Sequence, residues 1–223
     1  MTRTITLPDS LSLSDLATFL GRAARVEDGS VRLIAGRGVL AVYAAVLYPS
    51  GLLDATPTVL GLRTYQVDDD AEFDLVVPVR SLKERLTRLQ NGVVDPTAPV
   101  EVSMPVEVAT VTWAAISPPR GGWSSLPVVR RDRLVAAAEA GIAEVAAAVP
   151  TGTGEQIVHR VRSEVWSRPV EGAEGLPAGA AFAGLSLGFL VDDEPVSVFE
   201  TGPWTRLTTG RGHVLVKQRA TLL

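Results

Sequence analysis

The stretch Phe73–Gly92, FDLVVPVRSLKERLTRLQNG, contains both kinds of secondary structure that define the fold class of this chain. Its first residues are apolar and β-branched, a composition that predicts a strand. A helix is predicted to follow from Ser81, because Ser81 and Glu84 have the spacing of a capping box. The leucines of this helix share one face, and Gly92 is a stop signal. The stretch therefore predicts a mixed α+β fold.

The residues on either side of this stretch predict a sheet-rich N-terminal half with two helices. Ser12 and Asp15 give a second capping signal, and the apolar residues after them fall on one helical face. Gly36–Gly38 is a plausible hairpin turn between two apolar runs. The predicted strands are Thr2–Leu7, Val31–Ala35, Val39–Tyr48, Thr58–Val67, Phe73–Val79, Val100–Met104 and Val106–Ile116.

The second half predicts a different organisation, with several helices followed by a small antiparallel sheet. A loop rich in Pro, Gly and Ser begins at Ser117 and suggests two domains, an α+β sheet domain over 1–118 and a helical domain with C-terminal strands over 125–223. The predicted elements are a helix over Arg131–Val149, a helix that starts at a capping box of Thr153 and Gln156, a small-residue helix over Ala178–Leu190, and three strands within Pro195–Lys217.

Composition excludes several classes of functional site. The 223 residues include no cysteine and only two histidines, so a disulfide scaffold, a thiolate zinc site and a cysteine nucleophile are all excluded. Neither a phosphate-binding loop nor a dinucleotide fingerprint is present, so we expect no metal and no cofactor. The acidic run Asp68–Asp70 is interpreted as a solvated turn rather than a cation site.

Charge and hydropathy indicate whether the chain is expected to bind nucleic acid or a membrane. The net charge is −4, and neither half is basic by composition, so we do not expect a nucleic-acid module, although a local patch could still bind phosphate. No apolar run reaches the roughly 18 residues that crossing a bilayer requires, and the N-terminus lacks the apolar core of a signal peptide. We therefore expect a cytoplasmic protein without a membrane partner.

Several motifs in the second half resemble those of a family of uncharacterised actinobacterial proteins. This resemblance implies no activity, because the family supplies none. Separately, the order of strands and helices over residues 1–90 is similar to one domain of DNA sliding clamps, which implies a fold and not a function. The motifs that carry the first resemblance are Val161–Trp166, Leu176–Phe182, Leu187–Leu190, Gly202–Leu207 and Arg211–Val214.

A serine hydrolase is one alternative that the sequence leaves open. Gly184-Leu-Ser186-Leu-Gly188 matches the G-x-S-x-G pattern of a nucleophile elbow, and Asp192 and His213 follow in the chain order of that triad. The chemistry needs a strained turn from a strand into a helix at Ser186, whereas a helix is predicted through this position. The glycines are better explained as a small-residue stripe that lets two helices approach closely.

The remaining concentration of unusual residues consists of tryptophan and arginine. Guanidinium groups stack on indole rings and form forked contacts with carboxylates or phosphates, although the same residues also cover ordinary cores. Alternation places Trp204 and Arg206 on one strand face, and a hairpin at Gly210–Gly212 folds His213 back toward them. The predicted ligand or partner site is Trp204, Arg206, Arg211 and His213 with Arg160 and Trp166, and Arg120 with Trp123 forms a second, weaker cluster.

These observations favour a non-catalytic binding, scaffold or regulatory protein of the bacterial cytoplasm, because no acid–base or nucleophile set stands out. The expected partner is a protein or a second copy of the chain. Two alternatives remain open: a serine hydrolase that uses Ser186 and His213, and a clamp-like, nucleic-acid-associated protein.

Overall fold

A computed structural model describes the chain over residues 3–51, 53–108, 111–150, 153–191 and 193–218. The chain packs into two compact units, and the division between them falls within two of the strands. Unit 1 contains Met1–Ala45 and Leu62–Ile116, and unit 2 contains Val46–Gly61 and Ser117–Leu223.

Where the structure describes it, unit 1 carries two α-helices and most of the strands of the N-terminal half. Its main sheet has the antiparallel strand order β5-β2-β3-β4, and β1 and β6 form a separate two-stranded ladder. The elements in chain order are β1 (Thr4–Leu7), α1 (Ser10–Val26), β2 (Ser30–Gly36), β3 (Val39–Leu47), β4 (Thr58–Gln66), β5 (Phe73–Pro78), α2 (Val79–Asn91) and β6 (Val100–Ser103).

The β2–β3 hairpin forms where the sequence predicts it. Arg37 and Gly38 occupy its two turn positions with φ of 53° and 74°, so both adopt the left-handed conformation of a type I′ turn. This turn fixes the register that pairs Gly36 with Val39. The buried side of β2 then faces the same side as the buried residues of β5, because Leu33 pairs with Leu75.

The two helices of unit 1 begin earlier than the capping signals predict. Asp9, not Ser12, caps α1, and its carboxylate accepts the N–H of Ser12 at 2.7 Å. Pro78 precedes α2 directly and caps it without a side-chain hydrogen bond, so the predicted capping box of Ser81 is wrong. A proline at this position suits a helix start, because the first turn has no intrahelical partner for its N–H groups.

The predicted strand Val106–Ile116 is also wrong for the residues that the structure describes. Residues 106–108 have no regular structure, and Thr112–Ala115 form a short 3₁₀ helix. Trp113 is buried there, and the guanidinium of Arg32 donates to the carbonyl of Ala114 at 2.7 Å. The β-branched composition alone did not reveal that Thr112–Ala115 form a 3₁₀ helix that accepts a hydrogen bond from β2.

In its described residues, unit 2 combines three helices with the C-terminal sheet. The sheet order is β12-β11-β10-β7, and β8 pairs with β9 as a separate hairpin; the sequence analysis predicted neither β7 nor this hairpin. The elements in chain order are β7 (Ser124–Val129), α3 (Arg131–Ala148), α4 (Glu155–Ser167), β8 (Pro169–Val170), β9 (Ala173–Pro177), α5 (Ala178–Ser186), β10 (Val196–Thr201), β11 (Trp204–Thr209) and β12 (Gly212–Lys217).

The mixed α+β class and the three C-terminal strands are confirmed, whereas two helix limits differ from the prediction. Gly154 caps α4 without a side-chain hydrogen bond, so Thr153 does not form the predicted capping box. The small-residue helix α5 ends at Ser186, before the predicted limit, and its C-cap Leu187 is followed by Gly188 with φ of 76°. A left-handed glycine just beyond the last turn is a common helix terminator.

A small residue of α3 lets the helices of unit 2 approach one another closely. The predicted glycine stripe does not run along one helix, because Gly188 lies beyond the end of α5 and a Cβ atom at Gly184 would meet Leu190. The indole of Trp166 stacks on the ring of Phe182 with centroids 4.4 Å apart. Its other contacts include Gly141 of α3, where a Cβ atom would overlap the indole ring. Packing of α3 against α4 therefore requires glycine at this position.

We expect the substitution Gly141→Ala to destabilise the protein even though alanine favours a helix. The added methyl group overlaps the Trp166 indole, and such overpacking costs about 1–3 kcal/mol. Gly21→Ala is the matched control, because Gly21 lies within α1 and has open space around its Cβ position. We expect that change to raise the free energy of unfolding by about 0.5–1 kcal/mol. Denaturant unfolding measures both, and equal effects of the two substitutions would contradict the packing.

Candidate binding site on the C-terminal sheet

Strand register decides which side chains share a surface on the C-terminal sheet. Phe199 of β10, Arg206 of β11 and Leu215 of β12 lie directly opposite one another, so their side chains point to the same side. The neighbouring rows repeat this pattern every two residues. The face that carries Arg206 is formed by Ser125, Ser197, Phe199, Thr201, Trp204, Arg206, Thr208, His213, Leu215 and Lys217.

Two aromatic rings contact the guanidinium of Arg206. Its Cζ atom lies 4.5 Å from the centroid of the Trp123 ring and 4.7 Å from that of the Phe199 ring. Phe199 comes from the adjacent strand, whereas Trp123 comes from the loop before β7. Both distances are short enough for cation–π attraction.

The loop before β7 brings Trp123 to this face. Gly122 adopts φ of 77°, a conformation that L side chains rarely take, and it lies beside Thr201 at the end of β10. The indole Nε1 of Trp123 donates to the carbonyl of Pro119 at 3.2 Å. The indole orientation is therefore set by the loop itself as well as by Arg206.

Arg206 is half-buried and lacks the carboxylate partner that an arginine in such surroundings usually has. Among the described residues, no carboxylate forms an ion pair with it, and its Nε atom is buried without a hydrogen-bond acceptor. Burial lowers the pKa of Arg206 below its ordinary value. Arg32 shows the contrast, because both carboxylate oxygens of Asp74 accept from its guanidinium, at 2.8 and 2.6 Å. Within the described part of the chain, only ring contacts stabilise this cation.

His213 lies on the same face, in the row next to Arg206. Its Nδ1 atom is 3.0 Å from the hydroxyl of Thr208, the residue directly opposite on β11. Burial, and after it the positive charge of Arg206, lower the pKa of His213 below its ordinary value. The pKa of His213 therefore depends on the charge of Arg206.

Lys217 adds a further positive charge to this face. Its Nζ atom lies 5.9 Å from the centroid of the Trp204 ring, and Trp204 is only 4% exposed. None of the face residues that the register defines is Asp or Glu, and Glu200 of β10 points to the opposite side. We call the set Trp123, Phe199, Arg206, His213 and Lys217 the cationic face.

The structure places the remaining predicted site residues in other surroundings. Trp166 is buried among the helices of unit 2, and Arg160 is exposed on α4. Arg211 lies in the β11–β12 turn, where its backbone N–H donates to Thr209. Trp123, which the sequence analysis assigned to a separate and weaker cluster, is instead a direct contact of Arg206. Phe199 was missed, although its position in the alternation of β10 would have placed it opposite Arg206.

The geometry at Ser186 differs from that of a nucleophile elbow. Ser186 is the last residue of α5, so it ends a helix instead of joining a strand to one. Asp192, the predicted acid of this triad, lies outside the described residues. The ring of His213 contacts Thr208.

The described residues offer neither a metal site nor a membrane-spanning helix. Within the described ranges, no group of three or more His, Cys, Asp or Glu side chains is arranged to hold a metal ion. No helix in the same ranges combines the length and the apolar character that a membrane span requires. In the acidic run, Asp68 accepts the N–H of Thr6 at 2.6 Å and so helps to hold β1.

The sequence matches two family models, one for each half. Residues 1–106 match the model described as Domain of unknown function (DUF8010), and residues 118–221 match the model described as Domain of unknown function (DUF8185). No curated protein matches the sequence.

Solved structures of bacterial sliding clamps resemble the whole chain. The DNA polymerase sliding clamp from Caulobacter crescentus is 14% identical with a TM-score of 0.53, and the match covers 99% of this chain and 66% of the clamp. The DnaN sliding clamp from Bartonella birtlesii, bound to griselimycin, is 14% identical with a TM-score of 0.53 over 100% of this chain and 66% of the clamp. The clamp from Bacillus subtilis is 11% identical with a TM-score of 0.51 and the same coverage.

The chain spans less than two thirds of the length of these clamps. At such low identity, the likeness establishes the fold alone. It extends the sequence resemblance, which rested on residues 1–90, to both halves of the chain.

We expect the substitution Arg206→Gln to raise the pKa of His213, because it removes a neighbouring positive charge. The imidazole proton shifts, followed by NMR between about pH 4 and 8, report the change. The signal of His159 on α4 serves as the internal reference. An unchanged titration of His213 in the variant would contradict the proximity of the two side chains.

The lowered pKa of His213 also predicts how stability depends on pH. The unfolded imidazole binds a proton near its ordinary pKa of about 6.5, whereas the folded one binds it only at lower pH. The His213 contribution to the free energy of unfolding is therefore present above that value and decreases as the pH falls below it. Urea unfolding of His213→Gln should lack this contribution to the pH dependence.

Proposed function

We propose that this chain, which carries two domains of unknown function in a sliding-clamp fold, is a non-catalytic binding protein of the bacterial cytoplasm. Its cationic face binds an anionic group, carboxylate or phosphate, on a protein partner or on a second copy of the chain. The observation that carries this proposal is the half-buried guanidinium of Arg206, whose Nε atom is buried without an acceptor, which two rings contact and which no described carboxylate neutralises.

The composition of the cationic face supports binding. Tryptophan and arginine are the residues most enriched at the energetically dominant positions of interfaces. Removing a guanidinium from water is unfavourable unless hydrogen-bond acceptors replace the lost water contacts. An incoming carboxylate or phosphate supplies those acceptors, and charge-assisted forked contacts of this kind are strong. An anion therefore provides the hydrogen-bond acceptors that the two rings do not.

The clamp-like fold supports a binding role over a catalytic one. The structural likeness covers the whole chain, and the relatives are bacterial proteins whose names describe clamps. Ser186 ends α5, so the nucleophile elbow that the hydrolase alternative needs is not formed there.

The test of this proposal uses small anions as probes. We expect glutarate and inorganic phosphate, added at constant ionic strength, to shift the NMR signals of the Trp123 indole N–H and the His213 imidazole. Arg206→Gln, which removes the charge and keeps a polar side chain, should weaken binding by about tenfold or more. Arg130→Gln is the matched control, because Arg130 is exposed at the start of α3 and pairs with Asp132. Equal shifts in the Arg206 variant and in the wild type would reject the site.

A nucleic-acid role is a second candidate, and the charge of the helices in unit 1 favours it. Helices α1 and α2 together carry six basic and two acidic side chains, which leaves a net charge of +4 in a chain whose total is −4. Phosphate neutralisation by such side chains provides affinity for DNA without sequence preference.

Retention of a duplex oligonucleotide tests the second candidate. Lys83 and Arg88 are suitable positions, because Arg80 and Arg85 already contact Asp28 and Ser103. If DNA binds at α2, the double variant Lys83→Glu, Arg88→Glu should bind the duplex about tenfold more weakly at low salt and show a smaller salt slope. The double variant Arg130→Glu, Arg160→Glu, at two exposed positions of unit 2, changes the net charge by the same amount and provides the control. No salt-sensitive retention of the wild-type protein would reject this candidate.

A further inference from the structure

The orientation of the Arg206 guanidinium restricts the ligands that can reach it. The rings of Trp123 and Phe199 lie within 4.7 Å of its Cζ atom, and its Nε atom is buried. The terminal Nη groups are therefore the donors that remain for a ligand. They lie in one plane and match two coplanar oxygens, as a carboxylate presents them.

Lys217 is a second cation on this face, and the strand register fixes its distance from Arg206. Arg206 is directly opposite Leu215, and Lys217 is two residues farther along β12 on the same side. The diagonal spacing between such positions is about 7–8 Å. In an extended peptide, side chains two residues apart point to the same side and are separated by about 6.6–6.8 Å. Two acidic residues with one residue between them therefore match the spacing of Arg206 and Lys217.

We propose that the partner of the cationic face is an extended acidic segment of another protein, in which one carboxylate forms the forked contact with Arg206 and a second, two residues away, pairs with Lys217. This inference rests on the proposed function of the face and specifies its partner. Asp and Glu are absent from the face residues that the register defines, so the acidic segment meets no opposing charge there.

The surroundings of Arg206 favour this peptide over a nucleic acid. Single-stranded nucleic acids gain much of their affinity by stacking bases on aromatic rings. Here Trp123 and Phe199 contact the guanidinium, and Trp204 is 4% exposed beneath Lys217.

Fluorescence anisotropy with labelled synthetic peptides tests the proposal. The first peptide contains Glu-Val-Glu between neutral flanks. The second has the same composition but adjacent glutamates, and the third has glutamine in place of glutamate. A single-stranded oligonucleotide of equal charge is the fourth probe. Wild type, Arg206→Gln, Arg206→Lys, Lys217→Gln and the control Arg130→Gln are compared, and circular dichroism establishes that each variant is folded.

We expect the Glu-Val-Glu peptide to bind wild type about five- to tenfold more tightly than the peptide with adjacent glutamates. Arg206→Gln should weaken this binding by about tenfold or more, Lys217→Gln by about threefold, and Arg130→Gln not measurably. Arg206→Lys retains the charge without the fork, so it should lose most of the affinity.

The remaining outcomes separate this inference from the proposed function. Equal affinity for both glutamate spacings, or tighter Arg206-dependent binding of the oligonucleotide, would overturn the acidic segment and leave anion binding at Arg206 intact. Sedimentation that shows self-association of wild type, lost in Arg206→Gln, would assign the face to a second copy and overturn a foreign partner. If no probe bound in an Arg206-dependent manner, both proposals would be wrong.

Discussion

The antiparallel register of β10, β11 and β12 determines which side chains surround Arg206, so the whole binding face depends on it. A slip of one residue in β11 would exchange Arg206 for Thr205 or Leu207 and would place the guanidinium among the buried side chains on the opposite side. Tight turns at Gly202 and at Gly210–Gly212 hold this register. The backbone hydrogen bonds therefore position a charge that no described side-chain carboxylate neutralises.

Arginines elsewhere in the chain show what is unusual about Arg206. Arg168 donates to Glu144 at 2.8 Å, and Arg63 donates to Asp15 at 2.6 Å. Those ion pairs neutralise the guanidinium within the protein. Ring contacts attract a cation but accept no conventional hydrogen bond from its in-plane N–H groups. Arg206 consequently retains hydrogen-bonding capacity, which is what a binding site for an anion requires.

Local sequence signals predicted part of this site, and long-range packing supplied the rest. Alternation along β11 correctly placed Trp204 on the same face as Arg206, and the glycines of the following turn placed His213 on the neighbouring strand β12. Trp123 lies 83 positions before Arg206, in an irregular loop, and no periodicity links the two residues. The fold shows a similar limit of local signals. The helix after β5 was predicted to begin at Ser81, but it begins two residues earlier, after Pro78, because β5 leads directly into it.

The central claim is that the two rings cover the Arg206 guanidinium and leave its outer edge open. The ¹H–¹⁵N NMR signal of the Arg206 Nε–H group tests this claim most directly. The ring contacts predict an upfield proton shift and slow exchange with water, and both should be lost in Trp123→Ala while the sheet remains folded. A signal at the ordinary arginine position that exchanges rapidly with water in the wild-type protein would contradict the account.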